Sequence, residues 1–70
     1  MGDLLFVRAY RSVERSLREE CSEPEMVERA SMAVTSAGFV PSGIVPTAAA
    51  FVRRFLPDIV RLIQTDDMIG

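Results

Sequence analysis

The sequence predicts an all-α fold, a small domain of about three amphipathic helices, on the basis of three observations. Apolar residues recur every three or four positions in three stretches, which is the period of a helix with one buried face. Capping residues, prolines and glycines separate these stretches at about 21–24 and 39–46. The connections are short, as is usual between antiparallel neighbouring helices. The 70 residues, 49% hydrophobic and 26% charged, have the composition of one globular domain over 1–70.

The first helix is predicted over about 4–20, with Asp3 as its N-cap. Four residues spaced by four, three and four positions form its core-facing stripe: Phe6, Tyr10, Val13 and Leu17. Four arginines with a similar spacing lie on nearly the opposite side: Arg8, Arg11, Arg15 and Arg18. The helix therefore has two chemically distinct sides.

The second helix is predicted over about 23–37. Ser22 and Glu25 match a capping box, and Pro24 is tolerated in a first turn. Gly38 suits the left-handed position that follows many helices, and we expect Phe39 to pack back on Val34. Several residues of its apolar face are alanines, which allow a neighbouring helix to approach closely.

The third helix is predicted over about 47–64, with Pro46 in its first turn or Thr47 as its N-cap. Pro57 removes the hydrogen bond to the carbonyl of Arg53, so we expect a break or a kink there, at a cost of about 3 kcal/mol. We expect the tail, 65–70, to fray because its two aspartates oppose the helix dipole.

The apolar face of the third helix is broader than two narrow stripes can cover. A chain of this length buries only roughly 60% of its unfolded surface, and one cysteine without histidine provides neither a disulfide nor a zinc site. We therefore expect homodimerisation to complete the fold. A different protein partner, a purely internal core and a membrane-surface helix are the alternatives. The expected core or dimer interface is Phe51, Phe55, Leu56, Ile59, Leu62, Ala30 and Ala33.

The sequence lacks the residues of common active sites, so we expect no enzymatic activity, no metal and no cofactor. Histidine, lysine and a glycine-rich phosphate loop are absent. Glu23 and Glu25, with Glu28 nearby, favour a structural role at the start of a helix over a carboxylate cluster. Cys21 is interpreted as a small packing residue rather than a redox thiol.

The arginine row admits three interpretations: a solvated face, a contact for an acidic protein, or a contact for nucleic acid phosphates. Arg8, Arg11, Arg15 and Arg18 are the candidate contacts. The net charge of −2 opposes non-specific binding to nucleic acid or anionic membrane. A helix-turn-helix does not fit, because the connection 39–46 is longer than the usual three or four residues.

The leading functional hypothesis is a non-enzymatic protein–protein interaction module, a small regulator, inhibitor or adaptor that acts as a homodimer on an unidentified protein partner. The alternatives are a nucleic-acid-binding protein that presents the arginine row to duplex phosphates, and a small structural subunit of a larger complex. No apolar run approaches the roughly 18 residues that span a bilayer. We therefore expect a cytoplasmic protein without membrane contact.

Overall fold

Three helices in the order α1, α2, α3 form the fold of the computed structural model, which describes the backbone of residues 2–69 and the side chains of residues 4–65. The helices are α1 (Gly2–Arg18), α2 (Glu23–Ser36) and α3 (Ala48–Ile69). Residues 2–69 contain no strand. The predicted all-α class is therefore confirmed, whereas homodimerisation stays a prediction.

α1 differs from its predicted range at both ends. It begins at Gly2, so Asp3 lies within the helix rather than at its N-cap. It ends at Arg18 because Glu20 adopts a φ of +58°, in the left-handed region. The amide of Cys21 donates to the carbonyl of Ser16 over 3.0 Å, and the amide of Glu20 donates to the carbonyl of Leu17 over 3.1 Å. These two bonds form a Schellman motif without its usual glycine.

α2 has the termini that its sequence predicts. The hydroxyl oxygen of Ser22 accepts a 3.4 Å hydrogen bond from the amide of Glu25, which satisfies one free donor of the first turn. At the other end Gly38 has a φ of +102°, and the amide of Phe39 donates to the carbonyl of Val34 over 3.0 Å. This left-handed turn directs the chain back over the domain, where Phe39 packs against the core.

α3 begins after Thr47, whose hydroxyl oxygen accepts a 3.0 Å bond from the amide of Ala50. The helix is continuous through Pro57, so of the break and the kink predicted there the break is absent. Pro57 is exposed, and water can therefore bond the carbonyl that lacks its amide partner. The helix extends to Ile69 rather than Gln64. The side chains of 66–70 lie outside the described residues, and fraying of 65–70 stays a prediction.

All three helices contribute to one hydrophobic core. Its buried members are Ala9, Val13, Met26, Val27, Ala30, Val34, Val52, Leu56, Ile59 and Ile63. α2 contacts both other helices extensively, and α1 contacts α2 more extensively than it contacts α3. The centre of the apolar face of α3, formed by Val52, Leu56, Ile59 and Ile63, is therefore buried within the single chain.

Aromatic rings close the core on the side where α1 meets α3. The ring centroids of Phe6 and Phe55 are 6.0 Å apart at an interplanar angle of 86°, an edge-to-face contact. Phe51 lies 5.0 Å from Phe55 and 5.8 Å from Phe39. The loop after α2 thus covers part of the α3 face that the dimer hypothesis left to a second chain.

Candidate functional site

The orientation of α1 places its arginines beside α2. The fully buried line of α1 runs through Ala9, Val13 and Ser16, so only Val13 of the predicted core-facing stripe lies at its centre. Phe6, Tyr10 and Leu17 are half-buried. The small side chains of Ala9 and Ser16 occupy the centre of the contact, which turns part of the arginine side toward the neighbouring helix.

A groove of about 610 Å³ follows the seam between α1 and α2. We call it the arginine groove. Its lining comes from both helices: Arg8, Arg11, Ser12, Arg15, Ser16, Glu19, Arg29, Met32, Ala33 and Ser36. Among the described side chains, 4–65, four of the eight basic residues of the chain line this groove, against a single acidic residue. A locally positive surface therefore exists on a chain whose net charge is −2.

Ion pairs occupy one end of the arginine groove. The two carboxylate oxygens of Glu19 lie 2.8 Å from Arg29 Nη1 and 3.1 Å from Arg15 Nε. The hydrogen bonds from Arg29 and Arg15 hold the pKa of Glu19 below its ordinary value, with Arg29 the larger cause. A second carboxylate, that of Glu25, lies 3.6 Å from Arg29 Nη2. The positive charge at this end is thus already matched by carboxylates of the chain itself.

The other end of the groove retains its positive charge. Among the described side chains, 4–65, no carboxylate oxygen lies within 4 Å of Arg8 or Arg11. Arg18, the remaining member of the predicted row, lies outside the groove lining and is 3.9 Å from Glu14. The four predicted arginines therefore differ. Arg8 and Arg11 have no ion pair with a described side chain, Arg15 is paired within the groove, and Arg18 is paired outside it.

The groove also has apolar and hydroxyl components. The side chain of Met32 is 66% exposed, whereas Ala33 is half-buried. The Ser16 hydroxyl is fully buried and makes no hydrogen bond with any described residue. Met32, Arg29 and the serines are not among the site residues that the sequence predicts. Arg29, Met32, Ala33 and Ser36 recur at three, one and three positions along α2, a helical row that was the available signal.

The residues predicted for the core or the dimer interface lie mainly inside the single chain. Ala30, Leu56 and Ile59 are buried in its core. Phe51 and Phe55 are half-buried and pack against that core. The other two are Ala33, which lines the arginine groove, and Leu62, which is 48% exposed.

A second, apolar groove of about 410 Å³ lies between α2 and α3. Its floor includes Met26, Leu56 and Val60, and Glu23 and Arg61 contribute its charged rim. Within residues 4–65 no group of three histidine, cysteine, aspartate or glutamate side chains is placed to hold a metal ion.

Cys21 lies at the junction of α1 and α2 and is half-buried. Burial, together with the Glu25 carboxylate, raises the pKa of its thiol, which suppresses the reactive thiolate. No described helix combines the length and the apolarity that a bilayer crossing requires.

Comparison with known proteins gives no match to a family model, to a curated protein or to a solved structure. The fold and the site therefore define the protein by its structure alone, as a three-helix all-α domain with an arginine-lined groove between its first two helices.

Proposed function

We propose that this chain is a non-enzymatic interaction module that binds another protein and acts as a small regulator, inhibitor or adaptor in the cytoplasm. One observation carries the proposal. The arginine groove contains Arg8 and Arg11, which form no ion pair with a described side chain, and also the exposed side chain of Met32. Charged groups supply specificity and an apolar contact supplies affinity at protein interfaces.

Nucleic-acid binding is the second candidate, favoured by the spacing of the arginines along α1. Arg8, Arg11 and Arg15 recur at three and four positions, which separates them by about 5–6 Å along the helix axis, a distance compatible with adjacent phosphates. The net charge of −2 opposes the non-specific electrostatic attraction on which such binding depends. We therefore rank it below a protein partner.

Homodimerisation is a separate proposal, supported by apolar side chains that remain exposed on the single chain. Besides Met32 these are Leu4, Val7, Val40, Ile44 and Leu62. Exposed apolar area favours association when it forms a contiguous patch. Light scattering at micromolar concentration measures the mass directly, and a strict monomer contradicts this proposal while leaving the arginine groove unaffected.

Site-specific photocross-linking in the native host tests the interaction proposal. A photoreactive phenylalanine derivative replaces Met32 in the groove or, as the matched control, Asp58 on the exposed side of α3. We expect a discrete protein adduct from position 32, identified by mass spectrometry, and its absence from position 58. Adducts with nucleic acid alone, or the same adducts from both positions, contradict the proposal.

A further inference from the structure

We infer that the arginine groove binds an acidic amphipathic helix of the partner, with its carboxylates against Arg8 and Arg11 and an apolar side chain against Met32. This inference rests on the proposed function and names the chemistry of the partner segment. The charge of the groove, its apolar contact and its size each favour this occupant.

The chain itself demonstrates the charge preference of the groove. At the paired end, the Glu19 carboxylate lies between two guanidinium groups, 2.8 Å from Arg29 and 3.1 Å from Arg15. The arginine row continues along α1 to Arg11 and Arg8, where no described side chain supplies a carboxylate. Carboxylates of a partner extend the existing alternation of charge, and hydrogen bonds between two ionised groups are the stronger kind.

The apolar contact comes from Met32, which is 66% exposed beside the half-buried Ala33. Methionine is flexible and polarisable, so it adapts to partner side chains of different shape. Ala33 is small and leaves space above the seam between the helices. Apolar anchors of a docked helix recur at three and four positions, the same spacing as the arginines. One side of a partner helix can therefore contact Met32 while its flank meets the arginine row.

The size and surroundings of the groove favour a helix over a nucleic acid duplex. The row from Arg8 to Arg15 spans about 10 Å along α1, which matches about two turns of a helix that lies along the groove. Glu28 borders Met32 on the outer side of α2, and Glu19 lies at the far end of the groove. The phosphates of a duplex extend beyond the arginines toward these carboxylates, and like charges repel.

The probe for the test is a fluorescein-labelled helical peptide with leucines at every third or fourth position and a flanking row of glutamates. A matched peptide carries glutamine in place of each glutamate. Fluorescence anisotropy with the full chain measures both dissociation constants. We expect the glutamate peptide to bind at least about tenfold more tightly than the glutamine peptide, with the difference shrinking as salt is raised.

Variants of the chain locate the site. Replacing Arg8 and Arg11 together by glutamate should weaken binding of the glutamate peptide by at least about tenfold. The control replaces Arg53 and Arg54, two exposed arginines of α3, with the same change in net charge and should alter binding less than about twofold. Met32→Ser should weaken both peptides by about fivefold. Thermal unfolding followed by circular dichroism verifies that each variant is folded.

The inference is overturned if the glutamate peptide does not bind or if the glutamine peptide binds equally well. It is also overturned if substitution of Arg53 and Arg54 weakens peptide binding as much as substitution of Arg8 and Arg11. A random-sequence DNA duplex that binds more tightly than the glutamate peptide, with the same dependence on Arg8 and Arg11, overturns it as well. Failure of the proposed function is distinguishable. A protein adduct from position 32 without peptide binding refutes only the acidic helix, whereas the absence of any protein adduct from position 32 refutes the interaction module itself.

Discussion

The two sides of α1 differ in what they contribute to the molecule. Toward α3, Phe6 fills the space between the helices and contacts the ring of Phe55 at 6.0 Å. Toward α2, Ser12 and Ser16 line the arginine groove together with the arginines of α1. Large apolar side chains thus close one side of the helix, whereas small side chains leave a groove on the other.

This difference separates stability from recognition. Burial of apolar area is the main stabilising contribution to a small domain, and on α1 it is concentrated at Val13 and on the aromatic side. Exposed arginine–carboxylate pairs contribute little to stability because solvent and salt screen them. Substitutions on the arginine side of α1 should therefore change the stability of the fold little.

The largest expected effect comes from removing the aromatic contact. Phe6→Ala deletes a half-buried ring that packs on Phe55, and we expect the free energy of unfolding to fall by about 2 kcal/mol. Arg11→Ala, on the opposite side of the same helix, should change it by less than about 0.5 kcal/mol. Urea unfolding monitored by circular dichroism measures both. Equal losses from the two variants would mean that the two sides of α1 contribute alike.

A smaller effect of opposite sign is expected beneath the arginine groove. The Ser16 hydroxyl is fully buried without a described hydrogen-bond partner, a state that costs free energy. Ser16→Ala should therefore raise the free energy of unfolding by about 1 kcal/mol. Ser12→Ala, in the half-buried position one turn earlier, controls for helix propensity and should gain only about 0.5 kcal/mol. A loss of stability in Ser16→Ala would show that its hydroxyl is bonded.

The helices could be predicted from the sequence because their periodicity and caps are local signals. Ser22 and Gly38 mark the ends of α2 and occupy the predicted positions. The predicted end of α1 lies two residues beyond the observed one because Glu20, not glycine, occupies the left-handed turn, and no local sequence pattern indicates that conformation. For Ile59 the sequence leaves open whether one chain or a dimer buries it, since the answer depends on how α1, α2 and the loop residue Phe39 jointly cover α3.

The candidate site was predictable only in part for the same reason. The arginine row is a property of one helix and is visible in the sequence. The groove requires the rotation of α1 and the register of α2, which together bring Met32 and Arg29 beside that row. Burial of Ala9 and Ser16 sets this rotation, and a pattern search that favours large apolar residues selects Phe6 and Tyr10 instead.

The smallest expected effect concerns the paired end of the groove and depends on pH. Hydrogen bonds from Arg29 and Arg15 lower the pKa of Glu19 in the folded chain. The ion pairs of Glu19 therefore stabilise the fold fully at a pH above the pKa that Glu19 has in the unfolded chain. This contribution is lost as the pH falls through the lower pKa that Glu19 has in the folded chain. Glu19→Gln should accordingly be slightly less stable than the parent chain at about pH 7, with the difference vanishing once the pH falls below the lowered pKa of Glu19 in the folded chain.

Urea titrations across this range measure that difference, and Glu28→Gln supplies the control because Glu28 makes no ion pair with any described side chain. The control should show no comparable convergence with the parent chain on acidification. The prediction also bears on the groove itself. Replacing Glu19 removes the only acidic residue among the described side chains that line the groove, so the variant should bind the glutamate peptide more tightly than the parent chain does. Weaker binding would mean that Glu19 holds Arg15 and Arg29 in the orientation that the partner requires.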